Sequence, residues 1–205
     1  MFIILIDGQS GAGKTTYAQG LYERLLREHP DTLNNLSIPH DPWAAGSCGN
    51  PPTPEPLNTS QGDEPELQLI HLDDFYPGWG GLQAATRMLA DTVLDPVAPG
   101  YRRWDWHNDQ PGEWVSLKPQ VSMIIEGSGS LSRDTLRAAR QLTPEVLTIR
   151  ITGDEELRRH RALTRDPFYE PFWEMWAEQE AAHHSGEGKT PADIELHITD
   201  TQGPC

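Results

Sequence analysis

The sequence predicts an α/β fold in which helices cover both faces of a mostly parallel sheet. Short apolar runs, typical of buried strands, alternate with segments of helical periodicity along the 205 residues. A glycine-rich loop of the form G-x-x-x-x-G-K-[ST], Gly8–Thr15, stands between the first apolar run and the first helical segment. Polar residues follow directly after several predicted strands, at the sheet edge where ligands of such folds bind.

The glycine-rich loop predicts a site for nucleotide phosphates. Glycines let successive backbone N–H groups turn towards an anionic oxygen at a helix start. We expect Lys14 to reach the β- and γ-phosphates and the Thr15 hydroxyl to ligate Mg²⁺. The alternative is a chance glycine-rich turn, but the strand before the loop and the helix after it are the context that the motif requires. The predicted nucleotide-binding residues are Gly8, Gln9, Ser10, Gly11, Ala12, Gly13, Lys14, Thr15 and Thr16.

Composition limits the classes of partner. The chain carries 16 Lys and Arg against 31 Asp and Glu, which gives a formal charge of −15 and a pI near 4.8. We expect no nucleic acid or membrane partner, because an acidic surface repels phosphate backbones and anionic lipids. Cys48 and Cys205 have no ligand spacing for zinc. The length suits a single domain, 1–205, and the apolar run Phe2–Ile6 is too short to span a membrane and lacks signal-peptide features, so we expect a cytoplasmic protein.

Each element is predicted from its local pattern. Short apolar runs predict strands at 2–6, 67–72, 121–125, 146–151 and 194–198. Helical spacing predicts helices at 15–28, 82–94, 131–142, 154–165 and 171–183. Tyr101–Leu117 is predicted as a β-hairpin, because Trp104 and Trp106 alternate and turn residues follow from Asn108. Pro39–Pro65 combines many prolines with few apolar side chains, which predicts a flexible insertion.

Three predicted strands end in residues suited to phosphoryl transfer. The phosphate loop follows the first strand, Asp73 and Asp74 follow the second, and Glu126 follows the strand at 121–125. We expect them to converge on one cleft, because ligands of parallel sheets bind beyond the carboxyl ends of the strands. Phosphoryl transfer needs bound phosphates, a metal and a carboxylate that orients the acceptor hydroxyl. An Asp-Asp pair alone would indicate a turn or a helix cap, and the phosphate loop changes that interpretation.

Five motifs follow one another along the chain: Gly8–Thr16, Leu72–Tyr76, Trp104–Trp106, Ile124–Gly127 and an arginine-rich segment. This order resembles the uridine kinase-like family of P-loop kinases, which includes phosphoribulokinase and the bacterial type of pantothenate kinase. The resemblance implies a P-loop NTPase fold with three α-β-α layers, a five-stranded sheet and a small lid. It also implies ATP and Mg²⁺ as cofactors.

The resemblance assigns roles to residues at the strand ends. Asp73 matches the Asp of the family's Asp-x-Phe-Tyr motif, the proposed base for the acceptor hydroxyl, and Asp74 either assists the metal or caps the next segment. Glu126, with Thr15 and Asp73, would bind Mg²⁺. The family's Tyr-Asp-Phe motif, which lines the acceptor pocket, appears here with two tryptophans, whose rings could stack on a base, surround an apolar acceptor or pack in the core. The predicted acceptor-binding residues are Asp74, Tyr76, Trp79, Trp104, Asp105 and Trp106.

Four arginines concentrate positive charge in one short segment of an acidic chain, which indicates an anionic partner: Arg158, Arg159, Arg161 and Arg165. The resemblance makes 154–170 a lid that closes on the transferred phosphoryl group. In this interpretation Arg161 and Arg165 act in catalysis and Arg158 contacts the nucleotide. The alternative is a solvated helix face paired with the acidic residues at 154–156.

The sequence therefore predicts an ATP- and Mg²⁺-dependent kinase that phosphorylates a hydroxyl of a small metabolite, with a nucleoside as one candidate. A nucleotide-binding regulator or NTPase switch without a phosphoryl acceptor is the alternative from another class. A nucleoside monophosphate kinase is a third interpretation, and it would need more anion-binding groups than Arg102 and Arg103 supply. An aromatic pocket beside Asp73 favours the first.

Overall fold

The computed structural model describes residues 1–28, 33 and 67–199. The segment Pro39–Pro65, predicted as an insertion, and both cysteines lie outside the described residues. The strands are β1 (Ile3–Gly8), β2 (Leu67–His71), β3 (Gly100–Asp105), β4 (Gln110–Ser116), β5 (Ser122–Glu126), β6 (Val146–Gly153) and β7 (Ile194–Ile198). The α-helices are α1 (Lys14–Glu28), α2 (Leu82–Met88), α3 (Arg133–Leu142), α4 (Glu155–Arg165) and α5 (Trp173–Ser185).

Five of these strands form one sheet in the order β2-β5-β1-β6-β7. Every neighbouring pair in this sheet is parallel. All six residues of β1, at the centre of the sheet, are buried, as expected of a parallel strand covered on both faces. The predicted α/β class and the five-stranded parallel sheet are confirmed.

Alternate side chains of β1 enter two separate cores. Ile3 and Leu5 pack in a cluster that includes buried residues of α2, α3 and α5, whereas Ile4 and Ile6 pack in a cluster with α1. Successive side chains of a strand point to opposite faces, so helices cover the sheet on both sides. The result is the three-layer α-β-α arrangement that the resemblance implies.

Short helical segments lie in the connections between these elements. A short 3₁₀ helix, Leu72–Asp74, follows β2, and another, Pro167–Phe172, joins α4 to α5. The helix predicted over 82–94 is α-helical only to Met88 and continues as a π-helical turn, Leu89–Val93. In that turn, the Leu94 N–H donates to the Leu89 carbonyl. No helix in the described part of the chain combines the length and the apolar character needed to cross a membrane.

β3 and β4 pair antiparallel and form a separate two-stranded sheet. Tyr101 lies opposite Val115, and the register shifts between Arg102 and Trp104. The Asp105 carboxylate stabilises the connecting turn, since it accepts hydrogen bonds from the backbone N–H groups of His107 and Asn108 and from the Asn108 side chain.

Asp7, next to the phosphate loop, is fully buried and belongs to an ionic network. Its Oδ2 lies 3.3 Å from both the Arg150 guanidinium and His184 Nε2, and its Oδ1 accepts a bond from the Gly129 N–H. Burial raises the pKa of Asp7, but the bond from His184 and the positive charges nearby outweigh it, and the net pKa is lowered. Asp7, His183 and His184 could together approach a metal ion. The Arg150 guanidinium already compensates the carboxylate there, so we interpret the cluster as an ion pair network that holds α5 and β6 against β1.

The buried face of β5 should contribute strongly to stability. Ile124→Ala removes a fully buried side chain from the core beneath α1 and should lower the free energy of unfolding by about 2–5 kcal/mol. The matched control is Val97→Ala, where the valine is 81% exposed and the loss should be about 0.5 kcal/mol or less. Urea titration measures both. Equal losses in the two variants would contradict the close-packed core.

Candidate active site

The phosphate loop is built on glycines because neighbouring backbone leaves no room for side chains. Gly11 and Gly13 have φ angles of +77° and +85°, which residues with a Cβ rarely adopt. A Cβ on Gly8 would lie 2.1 Å from the Ile151 carbonyl oxygen, and one on Gly11 would lie 2.0 Å from that of Arg158. The loop is therefore fixed against β6 on one side and α4 on the other.

Lys14, the first residue of α1, extends its ammonium group back along the loop. Its Nζ donates to the Gln9 carbonyl oxygen at 3.1 Å and to Ser128 Oγ at 3.3 Å. The side chain is held at the wall of a cleft, where both neutral acceptors could be exchanged for phosphate oxygens. The predicted contact of Lys14 with the β- and γ-phosphates stays a prediction.

Three side chains meet at the end of β5. The Thr15 hydroxyl donates to Glu126 Oε1 at 3.0 Å, and His71 Nδ1 lies 2.7 Å from the same oxygen. His71 and Glu126 are register partners in β2 and β5. The bond to Glu126 raises the pKa of His71 against the opposing effect of burial, which favours the imidazolium as the donor. The sequence analysis missed His71, although it is the last residue of the strand that precedes Asp73.

Asp73 opens on the same cleft. It lies in the 3₁₀ helix after β2, and its backbone carbonyl accepts a 2.9 Å hydrogen bond from Trp106 Nε1. Its side chain is accessible to solvent within the cleft, but the surrounding protein removes much of the water. This desolvation and the negative charge of Glu126 raise the pKa of Asp73, while Lys14 and Arg165 act in the opposite direction.

Asp74 points elsewhere. It accepts a 3.0 Å hydrogen bond from the Tyr101 hydroxyl and thereby ties the hairpin to the turn after β2. Neither Asp74 nor Asp105 is among the residues that line the cleft. The structure thus separates the two neighbouring carboxylates: Asp73 faces the cleft and Asp74 faces the hairpin.

The cleft is a cavity of about 360 Å³ between the phosphate loop and the segment 165–176. Its lining consists of Ser10, Gly11, Gly13, Lys14, Thr15, Asp73, Tyr76, Trp79, Trp106, Glu126, Ser128, Arg165, Asp166, Tyr169 and Trp176. Five of these residues are aromatic and are referred to below as the aromatic wall: Tyr76, Trp79, Trp106, Tyr169 and Trp176. The remaining ten are polar, charged or glycine and are referred to as the phosphate half.

Trp79 is the centre of the aromatic wall. Its ring stacks on Phe172 at 4.1 Å and on Tyr169 at 5.3 Å, and it lies 5.1 Å from the tilted ring of Trp106. Trp104, predicted to bind the acceptor, is not part of the lining, and its buried indole N–H has no hydrogen-bond partner among the described residues. The tilted Trp106 ring, at 40% exposure, leaves part of its surface open to a ligand.

The four arginines predicted for a lid occupy different environments. Arg165 lines the cavity, whereas Arg161 lies outside the lining and Arg159 borders a surface depression with Glu156. Arg158 is buried, and its guanidinium donates to the carbonyl oxygens of Gly153 and Ser10. Because Arg158 supports the loop from behind, its predicted contact with nucleotide does not agree with its place in the structure.

Other cavity residues were missed by the sequence analysis. Ser128 could have been found, since it lies two residues after Glu126 at the same strand end. Asp166 and Tyr169 carry no motif and reach the cavity only through the path of the chain between α4 and α5. Glu180, on α5, contacts the loop from outside the cavity lining, at 2.7 Å from the Ser10 nitrogen.

No protein-family model matches the chain, and no curated protein matches it. Among solved structures, a possible uridine kinase from Bacillus stearothermophilus is 16% identical with a TM-score of 0.48, over 95% of this chain and 88% of that one. A sugar kinase from a Janibacter species is 16% identical with a TM-score of 0.46, over 100% of this chain and 87% of that one. An uncharacterized protein from Eubacterium ventriosum is 13% identical with a TM-score of 0.44, over 97% and 88%. These likenesses are too distant to carry an argument about function.

The contact between His71 and Glu126 predicts a pH-dependent contribution to stability in the absence of metal and nucleotide. Because the pKa of His71 is raised in the folded protein, its contribution is complete below the unfolded value of 6.5 and is lost as the pH rises through the folded pKa. His71→Gln should therefore reduce the free energy of unfolding at pH 5.5 more than at pH 8.5. Urea titration at both pH values with a chelator present measures the difference. A loss that is equal at both, or larger at pH 8.5, would contradict the assignment.

Proposed function

We propose that this protein is an ATP- and Mg²⁺-dependent phosphotransferase that acts on a hydroxyl group of a small molecule. One observation supports it above others: the phosphate loop, Glu126 and Asp73 share a single cavity with five aromatic side chains. A nucleotide switch needs the loop and a metal site but has no use for an aromatic pocket beside a carboxylate. The pocket favours a second, organic substrate.

The residues at the end of β5 fit a magnesium ion. Thr15 Oγ1 lies 3.0 Å from Glu126 Oε1, so a hydroxyl and a carboxylate already converge, and Asp73 adds a second carboxylate to the cavity. Hard oxygen ligands next to a phosphate site are the donor set that Mg²⁺ prefers. Desolvation and the negative charge of Glu126 raise the pKa of Asp73, and a bound cation would act in the opposite direction. When bound, Mg²⁺ would neutralise charge on the transferred phosphoryl group.

Each half of the cavity has a distinct role in the proposed reaction. Lys14 and the loop N–H groups bind the β- and γ-phosphates, and Arg165 adds positive charge where the γ-phosphoryl group would lie. Asp73 orients the acceptor hydroxyl for in-line attack and accepts its proton late in the transfer. The aromatic wall holds the acceptor and excludes water, which would otherwise compete for the phosphoryl group.

The acceptor half contains little that would bind a second phosphate. Arg102 donates to the Gly112 carbonyl oxygen, and Arg103 lies 3.5 Å from Glu113 on the exposed hairpin. Neither lines the cavity, whose only described arginine is Arg165. The charge distribution therefore favours an acceptor without a phosphate group, such as a nucleoside or another small alcohol, over a nucleoside monophosphate.

Lys14→Ala should strongly weaken nucleotide binding without loss of the fold. The change removes the charge that contacts the β- and γ-phosphates, so the Kd for Mg-ATP should rise by about a hundredfold or more, as expected for loss of a charge-assisted contact to phosphate. Isothermal titration calorimetry measures binding, and thermal unfolding checks the fold. Lys189→Ala, at an exposed position outside the cavity, is the matched control. Unchanged Mg-ATP binding in Lys14→Ala would refute the proposed nucleotide site.

The two neighbouring aspartates provide the test of acceptor chemistry. An ATP-consumption screen over nucleosides, sugars and other small alcohols first identifies the acceptor, with Lys14→Ala as the inactive control. Asp73→Asn keeps the shape but removes the proton acceptor, so kcat should fall by about a hundredfold or more. Asp74→Asn can still accept the Tyr101 hydrogen bond and should retain most activity. A larger loss from Asp74→Asn would show that the base is assigned to the wrong residue. ATP hydrolysis that responds to none of the alcohols would favour the switch.

A further inference from the structure

Glu180 fixes α5 to the phosphate loop through one carboxylate oxygen. The residue is 1% exposed, and four donors surround its Oε1. The Ser10 N–H is at 2.7 Å, the Ser10 hydroxyl at 2.9 Å, the Ser128 hydroxyl at 2.7 Å and the Trp176 indole N–H at 3.1 Å. Hydrogen bonds to a charged acceptor are stronger than neutral ones, so this oxygen holds its neighbours firmly.

The donors to Glu180 come from both halves of the cavity. Ser10 and Ser128 belong to the phosphate half, and Ser128 Oγ also accepts the 3.3 Å bond from Lys14 Nζ. Trp176 belongs to the aromatic wall. Glu180 itself does not line the cavity, and so it acts only through these neighbours. A buried oxygen thus connects the wall that would hold the acceptor to the loop that would hold the phosphates.

A second hydrogen bond also links the aromatic wall to the phosphate loop. The Tyr169 hydroxyl, from the 3₁₀ helix between α4 and α5, donates to Ser10 Oγ at 3.1 Å. Ser10 Oγ in turn donates to Glu180, and hydrogen bonds in such chains strengthen one another. Tyr169, like Trp176, lines the aromatic half of the cavity.

The negative charge of Glu180 determines how this connection affects nucleotide binding. A carboxylate behind the phosphate loop opposes the binding of phosphate groups, and its donors offset part of that repulsion. The loss of one donor leaves more of the negative charge to act on the loop. The Trp176 donor is the one among the four that belongs to the aromatic wall, so the position of that ring affects how strongly Glu180 repels the nucleotide.

We propose that Glu180 is a positioning residue that couples the aromatic wall to the phosphate loop, so that the Trp176 bond regulates nucleotide affinity. The inference rests on the proposed function in one respect, that the loop binds nucleotide. An acceptor that displaces the Trp176 ring alters its bond to Glu180 and hence the affinity of the loop. By linkage, nucleotide binding alters acceptor affinity by the same factor.

Two tryptophans on α5 offer a matched pair of substitutions. Trp176→Phe removes the indole N–H that donates to Glu180 and leaves an aromatic ring. Trp173→Phe makes the same change three residues earlier, at a buried indole whose N–H has no hydrogen-bond partner among the described residues. The probe is Mg²⁺ with the non-hydrolysable β,γ-imido analogue of ATP, measured by titration calorimetry. Trp176→Phe should weaken binding by about three- to tenfold, the range of one typical hydrogen bond, and Trp173→Phe by less than about twofold.

The decisive measurement repeats Trp176→Phe in a Glu180→Gln background. The amide carbonyl still accepts hydrogen bonds but carries no charge, so the effect of Trp176→Phe should fall below about twofold, a non-additivity expected of directly coupled residues. Tyr169→Phe gives a second route that conserves ring shape, and it should weaken binding in the native background and lose its effect beside Glu180→Gln. Thermal unfolding confirms that each variant is folded, and Tyr169→Phe alone decides the test if Trp176→Phe does not fold.

Additive effects, or a Trp176→Phe effect no larger than that of Trp173→Phe, would overturn the coupling while leaving the proposed function intact. If the wild type does not bind the ATP analogue, the proposed function fails and the coupling fails with it. The two results are distinguishable because the first requires normal wild-type binding.

Discussion

The candidate active site depends on the register of three parallel strands. Ile6 of β1 lies beside Glu126 of β5, and Glu126 lies beside His71 of β2. The chain leaves the sheet within about two residues of each position, so the phosphate loop, Asp73 and Glu126 emerge at one edge. A shift of one residue would turn every side chain of a strand to the opposite face. Glu126 would then leave Thr15 and His71, and no local change could restore the contact. The burial of β1 in two cores is what fixes this register.

Asp7 and Asp73 both lie near the phosphate loop, but neighbouring groups act on their charges differently. Burial raises the pKa of Asp7, but the hydrogen bond from His184 and nearby positive charge, including that of Arg150, bring it below its ordinary value. Desolvation and Glu126 raise the pKa of Asp73 more than Lys14 and Arg165 lower it. Asp7 is therefore satisfied by the protein itself. Asp73, in contrast, lines the cavity, and the neighbouring positive charges do not reverse the rise in its pKa.

Features that depend on local pattern and strand order could be predicted from the sequence. The loop, Asp73 and Glu126 lie at strand ends, and the parallel topology brings strand ends together regardless of how helices pack. Arg158 shows where such reasoning stops. Arg158 and Arg165 belong to the same helix, yet one supports the loop from behind and the other lines the cavity, and only the packing of α4 against Gly11 decides which. Glu180 was equally hidden, because a glutamate on a predicted helix carries no sign that tertiary contacts bury it. Asp74 differs from Asp73 only through Tyr101, a contact made over a long sequence separation.

The hairpin β3–β4 is attached to the turn after β2 at two successive residues, and the two attachments differ in kind. Tyr101 binds the Asp74 side chain, whereas Trp106 binds the backbone carbonyl of Asp73. The Asp73 carboxylate is left free of the hairpin, although its backbone is held in place by it. The same Trp106 ring forms part of the aromatic wall. A change in the hairpin would therefore reshape the pocket and shift the Asp73 backbone together. In the proposed reaction, recognition of the acceptor and orientation of its hydroxyl would then depend on the same hairpin. The phosphate loop is held by β6, α4 and Glu180 and has no such attachment to the hairpin among the contacts described above. Trp176 and Tyr169 are the residues through which the loop is connected to the aromatic wall.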